Sequence, residues 1–207
     1  MSGETIAITG GTGFVGQTLI RLALEQGYAV RALARKPQKT RSGITWIPGS
    51  LNDQDALCAL VKGSDGVIHV AGVVNALDRA GFEAGNVAGT LAVIEAARSE
   101  GVERFIHVSS LSAREPDLSN YGWSKAKAET LVQASGLDWS IVRPPAIYGP
   151  GDKDMLDVYR MAKWGYALMP PKGRVSLLEV SDLGRLLLAL IPAESARAAV
   201  YEADDGR

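Results

Sequence analysis

Short β-branched and apolar runs recur along this chain at regular intervals: 5-TIAIT-9, 28-YAVRALA-34, 66-GVIHVAG-72, 102-VERFIHVSS-110 and 138-DWSIVRP-144. As strands they are apolar on both faces. A strand with no polar face needs cover on both sides, which a parallel sheet flanked by helices provides. Helical patterns fill the intervals. In 14-FVGQTLIRLALEQG-27 the apolar positions Val15, Leu19, Leu22 and Ala23 follow helical spacing, and Gly27 stops the run. Further helices are predicted over about 53–62, 82–99 and 119–135, the last capped by Ser119 or Asn120 and ended by Gly136. A short strand, 44-ITWIPGS-50, ends at Pro48 and Gly49. The pattern predicts a doubly wound α/β fold.

After Pro150 the rhythm changes. Residues 151 to 175 mix Gly, Pro, Met, Trp and Tyr and read as an irregular excursion. A helix over 180–191, capped by Ser181, and a strand at 198-AAVYEA-203 follow. Residues 1–150 are therefore expected to form the core. Residues 151–207 are expected to pack on the same domain as a substrate-side segment. That segment reads as a shortened lobe or a truncated one, and the residues do not separate the two.

Composition narrows the function classes. Of 207 residues 46% are hydrophobic and 22% charged, with a net charge of −1, which is ordinary for a globular protein. No segment has the basic bias of a nucleic-acid binder. The single cysteine, Cys58, rules out an internal disulfide and fits a reducing cytoplasm. It sits in the helical pattern DQDALCALV and reads as inert. The apolar runs 67-VIHVAGVV-74 and 186-LLLALI-191 are far shorter than the ~20 residues of a spanning helix. A cytoplasmic location is expected, with amphipathic membrane association left open by composition.

The first strand runs directly into 9-TGGTGFVG-16. Gly10, Gly13 and Gly16 repeat every three residues, and Gly11, Gly13 and Gly16 fit G-x-G-x-x-G. Glycines here permit a tight turn and close approach of backbone to a diphosphate, and the following helix offers free N–H groups to the anion. A glycine pattern alone is weak; its place between a first strand and an amphipathic helix makes it specific. The loop gives Gly10, Thr12, Gly13, Phe14, Val15 and Gly16 as candidate dinucleotide contacts.

The second strand bears on the choice of dinucleotide. An acidic residue at its end would bond an NAD ribose, yet no Asp or Glu lies between Glu25 and Asp53. The strand instead carries 31-RALARK-36, with Arg35 and Lys36 where a 2′-phosphate would sit. NADP is therefore expected over NAD, against the competing reading of a solvated basic loop.

Further along, 121-YGWSK-125 places Tyr121 and Lys125 on one face of a helix. With TGGTGFVG, 69-HVAG-72, 86-NVAGT-90, 107-HVSS-110 and 143-RPPAIYGPGD-152, this set resembles the short-chain dehydrogenase/reductase superfamily, in its extended or atypical, epimerase/dehydratase-like branch. The resemblance covers about residues 4 to 190. It implies a Rossmann-type fold and a catalytic set of Ser110 (or its neighbour Ser109), Tyr121 and Lys125. It places Ala71, Gly72 and Val108 against the cofactor, with Pro144, Pro145 and Ala146 near the nicotinamide. Asn86 would support the site's geometry. Ser50 and Leu51 would lie on the adenine side, where Gly49-Ser50 stands in place of the Gly-Asp found in many relatives; Asp53 reads as a helix cap.

The chemistry follows from the residue types. A free phenol titrates near ~10, and a neighbouring ammonium lowers that value. Lys125 is expected to act so on Tyr121 and to bond the nicotinamide ribose. Tyr121 would then exchange a proton with a substrate oxygen held by Ser110 while hydride moves. His69 and His107 read as strand histidines, and no cluster has metal spacing. Trp123 either shapes the substrate mouth or packs. Met155, Tyr159, Met161, Trp164, Tyr166 and Met169 line an apolar pocket or form plain core, with core favoured.

Two functions remain. One is an NAD(P)-dependent oxidoreductase or epimerase acting on a carbonyl, alcohol or nucleotide-sugar substrate, with a homodimer as candidate assembly. The other is a non-catalytic NADP(H)-binding sensor or assembly protein. The intact Ser–Tyr–Lys set favours the first.

Overall fold

In the computed structural model of this protein, residues 3–152, 156–165 and 175–204 are described. A seven-stranded, wholly parallel sheet forms the centre. Its strands are β1 (Thr5–Thr9), β2 (Ala29–Ala34), β3 (Ile44–Pro48), β4 (Gly66–His69), β5 (Arg104–Val108), β6 (Asp138–Arg143) and a last edge strand, Ala199–Glu202. Spatial order runs β3-β2-β1-β4-β5-β6 and then that edge strand. The chain thus builds outward from β1 to β3, returns to lay β4 beside β1, and builds the other way. At such a reversal the two crossover connections leave in opposite directions, opening a crevice at the carboxyl ends of β1 and β4. The expected Rossmann-type α/β fold is what forms.

The helices cover both faces, as fully apolar strands require. α1 (Phe14–Glu25) lies on one face, α2 (Gln54–Val61) on the other, where Asp53 caps it by accepting from the Ala56 amide. Side-chain alternation in β1 divides the core in two. Ile6 and Ile8 pack with Leu19, Ile20 and Leu183; Ala7 packs with Leu57, Leu60, Val93 and Phe105.

The helix expected over 82–99 is broken into pieces: α3 (Arg79–Phe82), a π-helical turn at Glu83–Ala88, and α4 (Gly89–Ser99). Apolar periodicity does not register a π turn, because the extra residue per turn appears only in the hydrogen bonding. Here the Thr90 hydroxyl donates to the Asn86 carbonyl at 2.6 Å. α5 (Asn120–Gln133) starts at its Ser119 cap, with the serine hydroxyl accepting from Gly122 N.

Past β6 the chain forms β7 (Ala146–Tyr148), α6 (Leu156–Lys163) and β8 (Leu177–Glu179), with β7 and β8 pairing in a separate two-stranded sheet. So the stretch expected to be irregular holds a helix, and β7–β8 pairing across distant residues left no local trace. α7 (Val180–Ala189) then packs beside α1, and β9 is the Ala199–Glu202 edge strand. Its cap is Glu179 rather than Ser181: the carboxylate reaches the amides of both Ser181 and Asp182, which one hydroxyl at Ser181 cannot do. Cys58 is half-buried on α2, its Sγ 3.6 Å from the Ser99 hydroxyl. Met155, Tyr166, Met169 and the Tyr159 side chain lie outside the described residues; Trp164 is exposed and Met161 half-buried. Among the described residues no helix is long and apolar enough to cross a membrane.

Candidate functional site

The glycine loop closes on itself at the end of β1. Gly10 takes φ of 72°, and Gly13 N donates to Gly10 O at 3.0 Å. A Cβ on Gly10 would sit 2.8 Å from Ala71 N, and one on Gly16 would sit 2.1 Å from Gly10 O. Both positions therefore exclude any side chain, Gly10 by conformation and contact, Gly16 by contact alone. No side chain caps α1 at Gly13, so its first amides point outward without a protein partner supplied by the cap. A turn of bare backbone ending at an uncapped helix N-terminus fits a dinucleotide's diphosphate. Thr12, Gly13 and Phe14 line a cavity of about 1280 Å³ with Gln38, Lys39, Arg41 and Trp46.

Beside it a smaller cavity of about 140 Å³ is lined by Val15, Gly72, Val108, Ser110, Tyr121, Lys125 and Pro144, among others. The three side chains expected to be catalytic thus share one space with five of the expected cofactor contacts, Pro145 being the fifth. Other expected contacts fall elsewhere. Ala146 is exposed on β7, while its neighbour Ile147 lines the cavity. Ala71 backs onto Gly10 and donates its N–H to the Thr9 hydroxyl. The Ser50 hydroxyl accepts from Asn52 N within its own turn, and Leu51 packs under Gly89. Arg35 and Lys36 are exposed just past β2, outside the walls of both cavities. Among the described residues, the cations on the larger cavity's wall are Arg21, Lys39 and Arg41.

The two serines at the end of β5 part company. Ser109 is buried and donates to Glu129 Oε1 at 2.5 Å. Ser110 is half-buried and caps the next 3-10 turn, accepting from Ser112 N. Burial raises the Tyr121 phenol above its ordinary value, and of the two serines only the Ser110 side chain acts against that. The expected acidification of Tyr121 by Lys125 is therefore corrected. Desolvation acts on the whole phenolate, whereas the Lys125 ammonium is turned to the Val108 carbonyl at 2.7 Å. Burial brings Lys125 itself down to about 8, with Glu129 acting against that.

Asn86 holds the far wall. Its Oδ1 accepts from Val73 N at 2.6 Å, and its Nδ2 donates to Val73 O and to Ser124 Oγ. Behind it runs a polar chain. Thr90 spends its hydroxyl hydrogen on Asn86 O, so His69 Nε2 donates to Thr90 Oγ1; His69 Nδ1 then accepts from Thr9, which accepts from Ala71 N. His69 is neutral, lowered to about 3 by burial and by Lys125. His107 stacks on it at 5.4 Å, held well below the ordinary imidazole value by burial, Lys125 and His69, and neither of its ring nitrogens has a hydrogen-bond partner. Among the described residues no cluster could hold a metal. Trp123 lies under the Arg79 guanidinium at 3.7 Å, and Phe82 lies 6.0 Å from Tyr121. Glu129 and Arg143 were not singled out from the sequence, although Glu129 follows Lys125 by the same four residues that separate Lys125 from Tyr121.

Comparison with known proteins bears on this geometry. A family described as NAD(P)H-binding matches residues 10–162. A relative named ceramide reductase, from Caulobacter vibrioides, is 42% identical over 190 residues, covering 89% of this chain and 60% of that protein. The chain thus spans about three-fifths of that relative's length. A solved structure of MoeE5 in complex with UDP-glucose and NAD superimposes with a TM-score of 0.85 at 28% identity, covering 99% of this chain and 77% of the other. The Bordetella bronchiseptica enzyme WbmH in complex with NAD+ gives 0.87 at 22% identity, covering 99% and 77%, a likeness of fold. The chain belongs to the NAD(P)H-binding short-chain dehydrogenase/reductase superfamily, in its extended branch.

Proposed function

We propose that this chain is the NADP-dependent core of a reductase that acts on the carbonyl of an apolar substrate. The observation that carries the reading is the shared cavity of Ser110, Tyr121 and Lys125, set beside the glycine loop. The nicotinamide, when bound, supplies the hydride. Tyr121 gives its phenolic proton to the substrate oxygen, and Ser110 holds that oxygen. Burial keeps the phenol protonated, which suits a proton donor in the direction of reduction. Lys125 spends one N–H on Val108; an ammonium has two more, available to the tyrosine oxygen and to a ribose hydroxyl. The absence of an acid between Glu25 and Asp53, with Arg35 and Lys36 past β2, supports NADP. Gly151 and Asp152 stand on the wall of the larger cavity, beside the glycine loop.

Val15, Val70, Val73, Val74, Pro145 and Ile147 make the smaller cavity's wall largely apolar, and the 42% identical relative is named for a lipid substrate. Both support an apolar ketone. MoeE5, solved with UDP-glucose, favours a nucleotide sugar as the second reading. NADPH oxidation with methyl 3-oxoalkanoates of increasing chain length, set against conversion of UDP-glucose in the presence of NAD followed by chromatography of the sugar nucleotide, separates them. Rates should rise with chain length, and Tyr121→Phe should lower them ~10²–10⁴-fold with cofactor binding retained. No turnover of any 3-oxoalkanoate, or equal rates for Tyr121→Phe, refutes the reading.

A further inference from the structure

Tyr121, Lys125 and Glu129 recur every four residues along α5 and so lie on one face of it. The first two reach the small cavity; the third does not. Glu129 is instead buried, 4% exposed, beneath the two turns that border the cavity. Its Oε1 accepts from the Ser109 hydroxyl at 2.5 Å and from Arg143 Nε at 2.9 Å; its Oε2 accepts from Arg143 Nη2 at 2.6 Å. Ser109 is the residue before Ser110, and Arg143 the residue before Pro144. The second arm of Arg143 continues to Glu202 on β9 at 3.1 Å, and Glu202 pairs with Arg114 in the turn after Ser110.

We propose that Glu129 is a positioning residue, tying the serine edge and the proline edge of the site to the tyrosine–lysine helix and presenting its negative charge to Lys125. This rests on the function proposed above. A buried ion pair is weak evidence for stability, since apolar side chains of similar size hold a fold as well. What an apolar pair would not do is fix two turns at hydrogen-bond precision or offset a buried ammonium. The groups that face Lys125 are Tyr121 and Glu129 from α5, His69 from β4, and His107 and the Val108 carbonyl from β5. Both histidines are neutral, so among the described residues Glu129 supplies the opposing charge.

The test is a nuclear magnetic resonance titration of Lys125 in the full chain labelled with 13C-lysine, the signal assigned by Lys125→Arg, alongside turnover of methyl 3-oxododecanoate. The wild-type midpoint should lie at about 8. Glu129→Gln should move it down by roughly one unit. Glu129→Asp keeps the charge but shortens the reach, so the midpoint should hold while kcat falls roughly tenfold and the KM for NADPH stays. Ser109→Ala should do the same, and it also serves if Glu129→Gln does not fold. An unmoved midpoint in Glu129→Gln overturns the proposal. So do wild-type kcat values in both Glu129→Asp and Ser109→Ala. Absence of turnover in the wild type would refute the proposed function instead, and the titration would still decide the role of Glu129.

Discussion

Lys125 Nζ donates a 2.7 Å hydrogen bond to the carbonyl oxygen of Val108, which anchors the ammonium at the carboxyl end of β5 inside the protein. This bond satisfies one of its three hydrogens but does not restore its hydration. Burial lowers the Lys125 pKa from 10.5 to about 8. Between those values the unfolded chain binds more protons than the folded one, so stability rises with pH across that window. Below about 8 the full penalty applies. Urea unfolding of wild type and Lys125→Met at pH 7 to 10.5 should show the wild type gaining about 3 kcal/mol relative to the variant. A difference that stays flat with pH would contradict the buried ammonium.

Gly16→Ala tests the loop. Its new methyl would sit 2.1 Å from the Gly10 carbonyl oxygen, and neither backbone can withdraw without opening the turn. Stability should fall by about 1–3 kcal/mol, the range for overpacking, and NADPH binding by calorimetry should drop below detection. Gly63→Ala is the control for backbone strain without crowding: Gly63 has φ of 69° with nothing near its Cβ position. It should weaken the fold and leave cofactor affinity at the wild-type value.

His107→Leu should stabilise the protein. Both ring nitrogens are buried without partners, and a neutral imidazole must leave one N–H unpaired there. Replacing it by a side chain of similar size removes that desolvation cost, so a gain of about 1–3 kcal/mol is expected. Thermal unfolding followed by circular dichroism measures it. A lower melting temperature would mean that His107 has a partner, such as an internal water.

Cofactor preference should follow the basic residues after β2. The double variant Arg35→Ala, Lys36→Ala should lose NADPH affinity about tenfold to hundredfold and keep NADH affinity, since a charge-assisted bond is worth ~1.5–3 kcal/mol. Lys39→Ala with Arg41→Ala is the comparison, because these two line the larger cavity. If only the second pair matters, the 2′-phosphate sits in that cavity and not at the strand end.

What the sequence determined by itself is the part that local chemistry encodes. Apolar runs without a polar face demand cover on both sides, and that alone led to the parallel sheet and its helices. The glycine loop was legible because Gly10 and Gly16 stand where a Cβ has no room, a constraint written in residue type. Tyr121 and Lys125 were legible because helical spacing is a property of the backbone. The tertiary structure alone decided what depends on distant residues. β7 pairs with β8 across about thirty residues, the π turn arises from hydrogen bonds near Asn86, and Ser109 is separated from Ser110 by a carboxylate twenty positions further on. The state of Tyr121 belongs to the same class: four-residue spacing placed an ammonium nearby, but burial, which is set by everything packed around the ring, outweighed the pairing.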